Sequence, residues 1–174
     1  MTLDPAPSHA SSPAPAAPLR IQRDPLTDPR VLALIREHLA DMHAVTDDPA
    51  NVHAFDAAAL ASDGVALYTA WDGEDLLGMV ALKGLPGGDC EVKSLRTTLA
   101  ARGRGVGRAL VRSLEVAARE RGARALWLET GVEDAFTPAR RLYASEGYEF
   151  CPAFGSYKDG VGSVFMKRVV ATKP

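Results

Sequence analysis

The sequence predicts a mixed α/β domain with one central, mostly antiparallel sheet flanked by helices, and three observations carry that prediction. Residues 65–71 and 76–82 are β-rich runs joined by Asp72-Gly73-Glu74-Asp75, the turn chemistry of a hairpin. Residues 89–97 follow the Gly87-Gly88 turn as a third antiparallel strand. A strand, a glycine-rich turn, a helix and a further strand then succeed one another over residues 89–130, the order of a β-α-β unit with a parallel crossover.

The elements follow in chain order. Residues 1–18 are Pro, Ala and Ser with little to bury, so nothing offsets the entropy of ordering them and a flexible tail is expected, with the folded domain spanning 19–174. Leu19-Arg20-Ile21-Gln22-Arg23 alternates apolar and polar as a half-buried strand does, and Asp24-Pro25 ends it. After the Asp28-Pro29 start signal, Val31, Leu32, Leu34, Ile35, Leu39 and Met42 recur at helical spacing. His38 and His43 are five apart on that helix, which misses the i,i+4 spacing of two metal ligands, so they read as solvated or substrate-side residues. A short helix is expected around residues 56–61.

Within residues 89–97, Cys90, Val92, Ser94 and Arg96 alternate with Glu91, Lys93, Leu95 and Thr97. That is polar on both sides for a central strand and marks a site. Val106, Leu110, Val111, Leu114, Ala117 and Ala118 keep a 3.6 period until Gly122 ends the helix. A strand over 123–130, a helix opened by Thr137-Pro138 and ended by Gly147, and closing strands over 148–150 and 163–168 complete the domain.

Composition narrows the function. Of 174 residues, 20 are Lys or Arg and 22 are Asp or Glu, a formal charge of −2. With a pI near 6.1 there is no basic field for duplex nucleic acid and no polybasic patch for anionic lipid. Cys90 and Cys151 form no CxxC pair and are too few for a disulfide scaffold, which favours reduced thiols and a cytoplasmic location. No apolar run approaches the roughly 18 residues of a membrane span.

Arg102-Gly103-Arg104-Gly105-Val106-Gly107, followed by Arg108, sits where a strand passes into a helix. Glycines let the backbone approach an anion closely, and the first helical amides are unpaired donors at the positive end of the dipole, so the turn is built as a phosphate cradle. A Walker loop would need Gly-Lys-[Ser/Thr], and a dinucleotide fingerprint would need glycine in place of Arg108. The plainer alternative is a turn that only caps its helix.

Taken with a second motif, Ala139-Arg140-Arg141-Leu142-Tyr143 followed by Glu146-Gly147-Tyr148, the sequence resembles the GNAT superfamily of acyl-CoA-dependent N-acetyltransferases. Arg102, Gly105 and Gly107 fill its Gln/Arg-x-x-Gly-x-Gly/Ala loop, and the second motif fills its Ala-x-x-Leu-Tyr…Gly-Phe/Tyr pattern. The resemblance runs from about Leu19 to Arg168. The segments at residues 37–42, 91–96 and 128–131, with Phe154-Gly155-Ser156-Tyr157, are similar to the YsnE-type acetyltransferase branch.

The resemblance implies a GNAT-like fold and an acetyl-CoA cosubstrate lying in a cleft between two splayed strands. Its pyrophosphate would rest on the segment Arg102, Gly103, Arg104, Gly105, Val106, Gly107 and Arg108, and its pantetheine along the backbone of Leu95, Arg96 and Thr97. A primary amine of a small molecule would attack the thioester directly. Glu91, eleven residues before Arg102 as in histone-type members, would be the base, directly or through water, and Tyr143 the acid that protonates the leaving thiolate. Glu91 reads alternatively as a partner of Lys93 or Arg96, and Tyr143 as a packing aromatic. Lys93 and Arg96 would be substrate-side charges suited to an anionic or carboxylate-bearing acceptor. His53 and Glu129 are acceptor-pocket candidates, with a surface histidine and a salt bridge from Glu129 to Arg124 or Arg140 as the alternatives. The family's cofactor-holding asparagine is replaced by Phe136. A homodimer is conceivable by analogy with the fold. Competing functions are an acyl-CoA-binding sensor without turnover and an unrelated phosphate-ester binder.

Overall fold

The computed structural model describes residues 19–46, 53–160 and 162–170. The expected tail at 1–18 and part of the polar segment after residue 46 lie outside them. The chain forms β1 (Arg20–Asp24), α1 (Pro29–Val45), α2 (Ala57–Leu60), β2 (Val65–Asp72), β3 (Asp75–Gly84), β4 (Cys90–Thr97), α3 (Val106–Glu120), β5 (Ala125–Gly131), α4 (Thr137–Ser145), β6 (Glu149–Cys151) and β7 (Ser163–Val169). All seven strands join one sheet in the order β1-β2-β3-β4-β5-β7-β6. Only the β4–β5 pair is parallel, as the crossover through α3 requires. No helix among the described residues is long and apolar enough to cross a membrane.

Local chemistry sets the helix boundaries. Asp28 caps α1 by accepting from the Arg30 amide at 2.8 Å, with Pro29 at the first position, where a missing N–H costs nothing. Asp56 caps α2 by accepting from the Ala59 amide at 2.8 Å. Thr137 does not cap α4: it is the first helical residue, Phe136 precedes it, and the Thr137 hydroxyl accepts from Arg140 instead.

The sheet is buried on both faces. Leu110, Leu114 and Ala118 of α3 and Tyr143 of α4 pack with Val80, Leu82, Val92, Leu126 and Leu128 on one side. Val31, Leu34 and Ile35 of α1 pack with Leu67, Trp71, Met79 and Ala81 on the other. Met79, Val80, Ala81 and Leu82 are fully buried, which is why β3 reads as a continuous apolar run.

β4 departs from simple alternation. Ala81 pairs with Lys93 but Met79 pairs with Arg96, so three steps of β4 oppose two of β3. The extra residue is a β-bulge, and Ser94 takes φ = 53° within it. A Cβ on Gly78 would stand 2.6 Å from the Arg96 carbonyl oxygen, so only glycine lets β3 approach the bulge this closely. The bulge reverses the parity of the strand. Leu95 packs on the α3 side, and Arg96 turns to α1 instead of sharing a face with Cys90 and Val92.

Candidate active site

β4 and β5 pair over only three positions, Cys90 with Leu126, Glu91 with Trp127 and Val92 with Leu128. Past these the strands part, while β5 stays paired with β7 as far as Gly131 and Ser163. A cavity of about 620 Å³ opens in the gap, lined by Val92 to Thr97 of β4, Glu129 to Gly131 of β5, the turn before α3, one side of α4, and His38 and Met42 of α1. The unpaired edge of β4 lies along its wall.

At one end is the glycine turn. Gly103 and Gly105 adopt φ of 74° and 79°, which a residue with a Cβ rarely does. The first bond into α3 is from the Ala109 amide to the Gly105 carbonyl, 3.0 Å, leaving the amides of Val106, Gly107 and Arg108 without helical partners. The Arg104 amide is already bonded to the Ala101 carbonyl at 3.3 Å. Arg102, Gly103, Gly105, Val106, Gly107 and Arg108 line the cavity, whereas Arg104 does not: its guanidinium meets Asp72 at 2.9 Å. Arg108 bonds Glu146 at 2.8 Å at the edge of the opening.

At the middle stands Tyr143. Burial and the charge of Glu129 raise its phenol above the ordinary tyrosine value, so it stays protonated. Among the described residues its hydroxyl has no hydrogen-bond partner, and it lines the cavity with Phe136, the residue at the expected asparagine position. Phe136 is held against the end of β5, where a Cβ on Gly131 would lie 2.5 Å from its ring.

The far end is built by α1, β4, β5 and the loop after β6. Leu95, Arg96, Thr97, His53 and Glu129 all line it, and Glu129 is the one carboxylate among the described lining residues. Glu129 accepts from the Ser163 hydroxyl at 2.6 Å and pairs with neither Arg124 nor Arg140. Arg140 instead donates to the carbonyls of Gly131 and Glu133. Arg96 Nη2 bonds both Glu37 and Asp41 at 2.6 Å. Burial works against that guanidinium's charge, and the two ion pairs outweigh it, so its pKa is raised. His38 is buried, not solvated. Burial, helped by Arg96, pushes its imidazole down to about 4.

Glu91 is 1% exposed and lies behind the wall instead of in it. Tyr157 donates to Glu91 Oε1 at 2.6 Å, and Lys93 Nζ donates to the Tyr157 hydroxyl at 2.8 Å and sits 3.4 Å from the same carboxylate. Lys93 does line the cavity, its ammonium pulled below the ordinary lysine value by burial, against the opposing pull of Glu91 and Glu129. Tyr157 also meets His53 and Phe154 edge-on, each at 5.1 Å between ring centroids. The aromatic loop that forms this cluster was visible in the sequence as Phe154-Gly155-Ser156-Tyr157, but nothing in its spacing placed it across the sheet from Glu91.

An open edge on one strand, a splayed neighbour and a turn with free amides share one cavity. Comparison with known proteins gives the family. The Acetyltransferase (GNAT) family model matches residues 32–148. The uncharacterized N-acetyltransferase YsnE of Bacillus subtilis is 35% identical over 150 residues, 86% of this chain and 99% of that protein. The IAA acetyltransferase of Azospirillum brasilense is 32% identical over 151 residues, covering 84% and 94%. A Klebsiella pneumoniae structure with an inferred acyl-CoA N-acyltransferase description superposes with a TM-score of 0.73 at 26% identity over 88% of this chain and 99% of that one. On its motifs, its sheet and these relatives, the chain belongs to the GNAT family of acetyltransferases.

Proposed function

We propose that the protein transfers an acetyl group from acetyl-CoA to a primary amine of a small molecule by direct attack. The observation that carries the reading is the slot itself: the cavity along the unpaired β4 edge takes in both the free amides at the start of α3 and the side chains of Glu129 and Lys93. The cosubstrate supplies an acetyl group already activated as a thioester. The amides of Val106, Gly107 and Arg108 would hold its pyrophosphate, with Arg102 beside them. The backbone of Leu95 to Thr97 would pair with its pantetheine and give an amide to the negative charge that develops on the thioester oxygen.

The reaction needs two proton transfers. Tyr143, neutral and facing the cleft, would give its proton to the departing sulfur. Glu129 would hold the acceptor's ammonium. Glu91 acts as base through two hydrogen bonds: Tyr157 passes its proton to Glu91 and takes one from Lys93, and Lys93 takes the acceptor's proton. Lys93 and Tyr157 end as they began, and one proton has moved from the acceptor to Glu91.

The test is release of the CoA thiol from acetyl-CoA by the purified chain in the presence of a panel of primary amines, with mass spectrometry of the products. Amine-dependent release with an N-acetylated product supports the reading. Binding of acetyl-CoA with no release by any amine overturns it in favour of an acyl-CoA sensor.

A further inference from the structure

Three buried polar atoms on the cavity wall have no partner among the described residues: His38 Nδ1, Ser94 Oγ and Arg96 Nε. Native proteins leave few such atoms unsatisfied, because each costs the full price of its desolvation. The three gather where α1 crosses the β4 bulge. The bulge places two of them there, since it turns Arg96 toward α1 and holds Ser94 in a left-handed conformation, and α1 supplies His38.

We infer that the acceptor carries a carboxylate, and that Arg96 Nε, Ser94 Oγ and His38 Nδ1 are the subsite that holds it. The inference rests on the acetyl-transfer reading above and adds the class of acceptor.

The chemistry favours an acceptor-rich, singly charged group. Arg96 Nε–H can only donate, and Ser94 can donate its hydroxyl hydrogen. A neutral imidazole can place its proton on Nδ1 at little cost. Unpartnered donors on three residues that line one cavity match the several lone pairs of a carboxylate, whereas an aliphatic amine would leave the Arg96 donor unmet. Charge agrees with this. The guanidinium of Arg96 is 10% exposed, while Glu37 and Asp41, which pair with its outer edge, are 52% and 46% exposed. Water screens those two carboxylates more than it screens the buried cation. Glu129, which lines the same cavity from β5, opposes a doubly charged phosphate and suits an amino group carried on the same molecule.

The test compares α-amino acids with their carboxamides and with the corresponding amines lacking the acid group, using kcat/KM per free amine. The amino acids should be favoured by at least about 10-fold, the scale of a hydrogen bond to a charged group. Ser94→Ala and His38→Leu should each shrink that ratio. His38→Leu should also raise the Tm of the ligand-free protein, because it removes a buried atom without a partner. A second arm needs no turnover: with CoA saturating, 3-phenylpropionate should raise the Tm more than 3-phenylpropionamide does. Equal acetylation of acids and amides, or equal shifts with the two probes, overturns the carboxylate subsite and leaves acetyl transfer standing. Loss of amine-dependent thiol release with a selective shift by the acid overturns acetyl transfer and leaves the subsite.

Discussion

Tyr143 is the acid of the proposed mechanism. Its hydroxyl has no hydrogen-bond partner among the described residues, and burial with the charge of Glu129 raises its pKa, which keeps the phenol protonated. Tyr143→Phe should therefore lower kcat by about 100-fold while acetyl-CoA affinity and Tm change little. Steady-state kinetics with a parallel binding titration checks it, and an unchanged kcat would return the residue to packing. In the proposed mechanism Glu91 acts through Tyr157 and Lys93 and not on the acceptor itself. Glu91→Gln keeps the volume but breaks the proposed proton path through Tyr157 and Lys93, so kcat should fall by about 10-fold or more while acetyl-CoA affinity changes little, checked by steady-state kinetics with a parallel binding titration. At the turn, Gly105→Glu sets a side chain and a negative charge on a residue held at φ = 79°, and should weaken acetyl-CoA binding by more than about 100-fold. The placement of these residues was partly legible in the sequence. The Arg102 and Tyr143 motifs name themselves in sequence, whereas the withdrawal of Arg104 to Asp72 and of Glu91 to Tyr157 depends on partners 32 and 66 residues away.

Among the elements, β4 does the most. It ends its pairing with β5 at Val92, bulges at Ser94, and presents its free edge to the slot. Alternation along residues 89–97 identified the strand and its polarity. It assigned Arg96 to the wrong face, because one inserted residue reverses every later side chain and no local residue preference announces it. Gly78, on the neighbouring strand, is the hidden requirement. Gly78→Ala drives a Cβ to 2.6 Å from the Arg96 carbonyl, so β3 and β4 must separate. That should cost about 1–3 kcal/mol of stability and weaken acetyl-CoA binding as well, measured by denaturant unfolding and titration. The α3 helix, by contrast, was fully legible: its 3.6 period, the glycines before it and Gly122 after it are all local signals.

For the whole molecule, the buried imidazole of His38 links stability to pH. Its pKa is near 4 when folded and near 6.5 when unfolded, so the unfolded chain binds more protons between those values. Stability is at its full value above pH 6.5, where the imidazole is neutral in both states, and falls as pH drops toward 4, by on the order of 3 kcal/mol in all. Urea unfolding between pH 7 and 5, above the range where carboxylates titrate, should show this slope in the native chain and a flatter one in His38→Leu. Fold class was legible at this scale because the hairpin, the crossover and both helix-ending glycines act locally. The acceptor end was not, since α1, β4, β5 and the loop after β6 reach it from four separate parts of the chain.

The most direct test of the slot is a thermal-shift titration comparing acetyl-CoA, CoA, ADP and NAD. At 100 times its dissociation constant a ligand adds about 2.7 kcal/mol of stability. The splayed strands predict a saturable rise in Tm with acetyl-CoA and CoA that ADP and NAD do not match at equal concentration. An equal rise with ADP, or none with acetyl-CoA, would reduce the glycine turn to an anion site or a helix cap and contradict the account.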